Sequence, residues 1–225
     1  MKSILIKQVF LLLLFYNSTT AQDIVMLKHA YYTSYFSKSK HIPVLITYTL
    51  TSSMLTCDEH INRKGKRFEP DPELSEETDL QKDYVHSGYD RGHNMSAENN
   101  ACSDIGMNEC FYFSNIFPQL HSFNAGTWET LEKRERIQAK EYGRIVVFIG
   151  NIGKLSKIGF DSVVVPAYCW KIIYQPSTNK YECYIFSNSQ PIDKNIDDYT
   201  TSLETIERQT GIHFKGENTL INIKE

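Results

Sequence analysis

Bulk properties point to no partner in this sequence. It has no basic excess: 24 Lys and Arg against 27 Asp and Glu give a formal net charge of −3. An anionic ligand therefore has to be held by a local cluster of cations rather than by the overall field. The chain has no CxxC pair and no Cys/His spacing of the zinc-finger kind, which argues against a structural zinc site. It has no internal repeat and no low-complexity tract, which argues against a solenoid. Its cysteines number five, so an odd thiol is left over within the chain.

The first 21 residues stand apart. Lys2 and Lys7 precede the apolar run "VFLLLLFY", and Thr19-Thr20-Ala21 supplies small residues before Gln22. This reads as a secretory signal peptide cut after Ala21, with residues 22–225 as the exported part. The alternative is an uncleaved membrane anchor, but the run is short for a bilayer span. No Cys lies at the cut, which argues against a lipidated bacterial N-terminus. Loss of Lys2 and Lys7 takes the formal charge from −3 to −5. Cys57, Cys102, Cys110, Cys169 and Cys183 all follow the cut, where an exporting route permits disulfides. Cys102 with Cys110, and Cys169 with Cys183 across a hairpin, are plausible pairs, although spacing alone leaves connectivity open.

Periodicity predicts strands at residues 44–51 ("VLITYTLT"), 110–116 ("CFYFSNI") and 144–149 ("RIVVFI"). Two more, at 163–174 and 181–187, flank the turn-rich "QPSTNK". Helices are expected at 128–142, with Leu131, Ile137 and Tyr142 as its apolar stripe, and at 203–210, closed by Gly211. Residues 62–80 are polar, charged and Pro-containing, and read as a loop. The pattern is α+β: a mostly antiparallel central sheet flanked by helices. No linker-like stretch divides residues 22–225, so one domain is expected.

Two runs carry chemistry rather than core: "SGYDRGHN" (87–94) and "NAGTWETLE" (124–132). Neither makes a good core strand. Imidazole suits proton abstraction near neutral pH, which makes His93 a candidate base. Gly92 permits a bend or a close approach, and Arg91 offers a planar cation suited to phosphate. Asp90 can hold a ring nitrogen or an arginine. Asn124 offers a neutral, hard oxygen, able to dock a Mg²⁺ that keeps most of its waters. On a helix begun near Asn124, eight steps place Glu132 roughly 80° around the axis, too far to share the ion and near enough to orient a bound water. The alternative for "ETLEKRER" is a solvated helix with Glu129–Lys133 and Glu132–Arg136 pairs, the preferred reading for Glu129, Lys133 and Glu135.

"DRGH", then "SNIFPQ", then "NAGTWETLEKRER" resembles the DNA/RNA non-specific endonucleases, ββα-metal nucleases that include secreted bacterial enzymes and the mitochondrial endonuclease G group. The similarity also takes in "RIVVFIGNIG", "VPAYCWKIIY" and "LETIERQTG", spanning most of residues 60–214. The resemblance implies a ββα-metal active-site motif and Mg²⁺-dependent hydrolysis of DNA and RNA phosphodiesters, with one ion and Mn²⁺ able to substitute. It gives His93 as general base, Asn124 as the single direct protein ligand, Arg91 as phosphate-stabilising arginine and Glu132 as organiser of the metal's hydration. Asn115 and Gln119 support the site, and Arg136 touches phosphate. A second arginine is expected upstream, where Arg63, Lys64, Lys66 and Arg67 crowd together; Arg67 is slightly preferred over Arg63. The family also includes homodimers, but no residue pattern here identifies an interface. His121, three residues before Asn124, is a candidate second ligand of the kind HNH-type relatives use. After His93, "NMSAENNACSD" departs from the more apolar, Pro-containing run of many relatives. It includes the sequon Asn94-Met95-Ser96, where a glycan would obstruct substrate.

Overall fold

The computed structural model describes residues 23–74, 80–189 and 195–220. The signal-peptide reading of residues 1–21 lies outside these. The strands are β1 (Ile24–Lys28), β2 (Thr33–Ser37), β3 (Ile42–Thr51), β4 (Asp90–His93), β5 (Ile116–Gln119), β6 (Arg144–Ile152), β7 (Ser156–Ile158), β8 (Val163–Val165), β9 (Tyr168–Gln175), β10 (Lys180–Ser187), β11 (Thr200–Thr201), β12 (His213–Lys215) and β13 (Asn218–Leu220). The α-helices are α1 (Gln81–Tyr84), α2 (Asp104–Glu109), α3 (Glu129–Tyr142) and α4 (Leu203–Thr210).

A seven-stranded sheet runs β1-β2-β3-β6-β9-β10-β11, antiparallel at every pairing. Strand β6 explains its unbroken apolar sequence. Ile145, Val147 and Ile149 face one core, with Trp128 and Leu131, while Val146 and Phe148 face another, with Ile206 and Phe214. A strand covered on both faces needs no polar side, so "RIVVFI" reads as a run rather than an alternation. One face carries α3 and the β4–β5 hairpin; the other carries α4 and Phe214 of β12. Helix α4 ends as expected, with Gly211 in the left-handed region at φ 72° and its N–H on the Glu207 carbonyl.

Several expectations need correction. The strand placed at 110–116 lies further on: residues 113–115 form a 3₁₀ turn and the strand is Ile116–Gln119, because the Asn115 side chain bonds the backbone of Met95 and Cys110 rather than extending a ladder. DRGH, read as a poor strand, is β4, paired Asp90↔Gln119 through His93↔Ile116. The stripe on α3 is also different. Ile137 is 63% exposed, and the buried positions are Leu131, Glu135, Gln138 and Ala139.

The disulfide joins Cys57 to Cys102, and Cys110, Cys169 and Cys183 are buried thiols. Cys169 stands opposite Phe186 and Cys183 opposite Ile172, so the two cysteines are three residues out of register and on opposite faces of the sheet. Cys110 Sγ instead lies 3.3 Å from the Met107 carbonyl, within the cluster behind α2.

Candidate active site

The site is built on the β4–β5 hairpin and the helix that follows it. The helix opens with a π-helical turn, Phe123–Trp128, before continuing as α3. The Asn124 N–H donates to the Leu120 carbonyl at 2.8 Å. Trp128, fully buried, donates from Nε1 to the His93 carbonyl at 3.0 Å and clamps the helix onto the hairpin. The wide turn carries Asn124 and precedes Glu132, and π turns frequently accompany function.

Asn124 is oriented by Asp90. Its Nδ2 donates to Asp90 Oδ2 at 2.9 Å, and a carboxylate can only accept, so the amide nitrogen must face it. The carbonyl oxygen is thereby turned away, and it has no hydrogen bond among the described residues. One fixed, neutral oxygen fits a hydrated Mg²⁺ that takes few protein ligands. His121 Nδ1 lies 2.8 Å from the same Asp90 oxygen, with its side chain 80% exposed. Asp90 therefore serves the amide and one imidazole, rather than Arg91.

Alternation along β4 puts Arg91 and His93 together, on the Phe68 ring. Phe68 lies 5.2 Å from the His93 ring and 5.5 Å from the Arg91 guanidinium carbon. Phe111 meets His93 edge-on at 4.9 Å. Burial among these rings, together with the nearby Arg63 charge, lowers the His93 pKa to about 3, so the imidazole is neutral at pH 7. Its Nε2 is buried without a hydrogen-bond partner among the described residues. Arg91 also stacks on Tyr84 at 5.1 Å and donates to the Gln81 carbonyl at 2.8 Å.

Gly92 has a structural reason the sequence did not show. A Cβ there would lie 2.0 Å from Gln119 Oε1, because the buried Gln119 carboxamide crosses the strand at that point. Asn115 is likewise buried and binds Met95 and Cys110 backbone groups, which fixes the turn between α2 and β5. Asn94 is also buried, with Nδ2 on the Asn115 carbonyl at 2.8 Å, so the sequon is closed in the folded chain.

Among the upstream cations, Arg63 is the one whose charge reaches His93, and its guanidinium lies 5.6 Å from the Phe111 ring. Lys66 is committed to Asn108 at 2.6 Å, and Arg67 is exposed on the same loop. Both arginines are exposed, and Arg63 is the one set over Phe111, a ring that encloses His93.

Beneath α3 lies a network that sequence reading missed. Glu135, taken as solvated, is fully buried and accepts from Tyr48 at 2.6 Å, Asn99 at 3.1 Å and the Lys171 ammonium. Lys171, itself fully buried, sits 4.1 Å from the Trp128 ring centroid. Arg136 donates to Asn99 Oδ1 at 3.0 Å, which explains the polar "SAENN" after His93. Burial raises the Glu132 pKa to about 7; Lys171 and Arg136 pull it down and Glu135 pushes it up. A lysine inside the apolar strand "YCWKIIY" was the available signal. On the exposed side, Glu129 and Lys133 form the expected pair at 2.8 Å.

The sequence model for DNA/RNA non-specific endonucleases matches residues 13–219. The chain is 32% identical over 173 residues to "Nuclease EXOG, mitochondrial" of Danio rerio, covering 68% of this chain and 50% of that protein. It is 30% identical over 149 residues to "Endonuclease G, mitochondrial" of Homo sapiens, covering 59% and 50%. It spans about half the length of the curated relatives it matches. A crystal structure of the EndoG/EndoGI complex superposes with a TM-score of 0.79 at 27% identity, covering 86% of each chain. With that sequence match over most of its length and the same fold, the chain belongs to the DNA/RNA non-specific endonuclease family.

Proposed function

We propose that this chain is an exported, Mg²⁺-dependent endonuclease that hydrolyses phosphodiester bonds of DNA and RNA with little sequence preference. The observation that carries the reading is the Asp90–Asn124 pair, which leaves one carboxamide oxygen free for a cation, with the neutral imidazole of His93 on the same strand as Asp90. Bound at Asn124, the ion supplies Lewis-acid neutralisation of charge on the phosphate and the leaving oxygen.

His93 takes the proton from the attacking water. Its neutral form is the competent one, and Nε2 is the nitrogen left to accept. An anionic phosphate arriving beside it favours the imidazolium and raises its basicity during the reaction. Arg91 and Arg63, on the two rings that enclose His93, stabilise charge developing on the phosphoryl oxygens. Glu132 orients water around the ion, and Asp90 is a positioning residue acting through Asn124. Contacts confined to phosphate position a polynucleotide without reading its bases, which supports cleavage of either sugar type.

The export half of the reading rests on Lys2, Lys7 and the apolar run before Ala21; the named relatives are mitochondrial. N-terminal sequencing of the mature protein should return Gln22. An uncut or differently cut chain would overturn this part alone.

The activity test is digestion of supercoiled plasmid and of RNA by the wild type, His93→Ala and Asn124→Ala, each with Mg²⁺ and then with chelator. Cleavage of both substrates by the wild type, abolished by chelator and by either substitution, is the expected result. Chelator-resistant cleavage, or full activity of folded His93→Ala, would remove the assignment. Binding without cleavage would leave a nucleic-acid-binding module on the same scaffold.

A further inference from the structure

Among the described residues, one cluster of metal-ligating side chains lies apart from Asn124. Cys57, His60 and Cys102 each offer a ligand atom within 4.8 Å of the others. Cys57 and Cys102 are joined as a disulfide, with Cα atoms 5.7 Å apart and 45 residues between them in sequence. Sequence spacing spoke against a structural zinc site, because Cys57-Asp58-Glu59-His60 has no second ligand pair near it in sequence; the fold supplies the third ligand, Cys102, from 45 residues away. His60 is exposed and both cysteines are partly accessible, so reductants and ions can reach the cluster from solvent. The other three thiols are buried, and burial raises each of their pKa values, which makes them poor competitors for a cation.

We propose that Cys57, His60 and Cys102 form a second metal site, for a thiophilic divalent cation of the zinc class, which opens when the disulfide is reduced and then holds the basic loop in place of the covalent bond. A small dithiol or a dithiol oxidoreductase supplies two electrons and two protons. Its own thiols become a disulfide as the Cys57–Cys102 bond breaks to two thiols. Binding of the cation then displaces both thiol protons and leaves two thiolates and one neutral imidazole as ligands. Three protein ligands leave one position for water. A tetrahedral site needs the sulfurs about 3.8 Å apart and each about 3.5 Å from the imidazole nitrogen, values that follow from metal–sulfur and metal–nitrogen bonds of about 2.3 and 2.0 Å.

The two sites sort metals by softness. Thiolates favour zinc-class ions, and the lone Asn124 carboxamide favours Mg²⁺. The consequence lies in the loop that starts at Cys57. It carries Arg63, whose charge acts on His93, and Phe68, which packs on the same ring. Either the disulfide or the metal fixes its start against Cys102, beside the Ile61–Ala101 backbone hydrogen bond of 2.7 Å. Reduced and metal-free, the loop loses that anchor.

The test uses the full chain, oxidised or reduced with a trialkylphosphine that is then removed without air. Cd²⁺ is titrated and followed by thiolate charge-transfer absorption, and Zn²⁺ is measured by equilibrium dialysis. We expect one equivalent bound by the reduced chain, loss of that binding in the oxidised chain and in reduced Cys57→Ser/Cys102→Ser, and roughly tenfold or greater weakening in His60→Ala. Trypsin should cut after Arg63 to Arg67 faster in the reduced, metal-free chain, and Zn²⁺ should restore resistance. No stoichiometric binding by the reduced wild type, equal binding by the reduced double-serine variant, or no restored resistance would each overturn the proposal. The wild-type comparison needs no variant to fold, and none of these readouts depends on nuclease activity.

Discussion

Asp90 and Glu135 are carboxylates that each accept from an asparagine amide, in opposite surroundings. The Asp90 side chain is 34% exposed and serves Asn124 and His121. Glu135 is fully enclosed and gathers Tyr48, Asn99 and Lys171. The first uses its charge to aim a group at solvent; the second neutralises a buried cation and fastens α3 to the sheet. Damage to the first region should show in chemistry with the fold intact, and damage to the second in the fold itself.

The largest effect should come from His93, on the same short strand as Asp90. His93→Ala should lower turnover by roughly 10²–10⁴-fold. Its circular dichroism spectrum should match the wild type, since the residue holds Trp128 through its backbone carbonyl and not its ring. On the other side of the comparison, Glu135→Ala leaves the Lys171 ammonium buried without its partner. That should cost about 3–5 kcal/mol in a denaturant titration. Replacing both residues, as Glu135→Leu with Lys171→Met, should recover much of the loss, because the uncompensated charge is gone. A double variant no better than Glu135→Ala would show that the network is needed for its shape rather than its charge balance.

Asp90→Asn should give a smaller effect. The variant keeps the size of the side chain and lets its own amide turn toward Asn124, so the oxygen of Asn124 is no longer forced outward. Mg²⁺ affinity should fall about 10–100-fold, read from the metal dependence of plasmid cleavage, with little change in unfolding midpoint. A shift in the midpoint comparable to that of Glu135→Ala would erase the distinction between the two regions.

What the sequence could show divides along the same line. Strand β6 was readable because burial on both faces leaves an unbroken apolar run, and α4 because Gly211 marks its end. The buried face of α3 was not, since its inward positions include Glu135 and Gln138 while Ile137 points to water. Their partners, Tyr48 and Glu182, come from strands far away in sequence. DRGH hid its strand character because its partner is the Pro-containing "IFPQ" and its glycine answers to Gln119. The expected Cys169–Cys183 pair failed on strand register, which spacing does not carry. The order DRGH, SN-x-x-PQ, N-x-x-x-W-x-x-LE did identify the family. It did not reveal which upstream arginine lies beside His93, because that depends on how the loop after Cys57 folds over Phe111.

The smallest effect, counted per pH unit, should appear as a slope in pH. His93 has its pKa lowered from 6.5 to about 3, so between those values the unfolded chain binds a proton that the folded chain does not. That contribution to stability is present above pH 6.5 and is lost as the pH falls toward 3. Glu132 runs the other way. Its pKa is raised from 4.5 to about 7, so its contribution is present below 4.5 and lost as the pH rises through 7. Between about 4.5 and 6.5 the two proton differences have opposite sign and largely cancel. Glu132→Gln should uncover the His93 slope, with stability rising relative to wild type by up to about 1.4 kcal/mol per pH unit across that window. His93→Ala should uncover the opposite slope, stability falling with pH relative to wild type. Urea midpoints at pH 4.5, 5.5 and 6.5 measure both differences. Parallel profiles for the wild type and both variants would mean that neither group titrates away from its unfolded value, and that the enclosure of His93 by Phe68 and Phe111 does not keep its imidazole neutral.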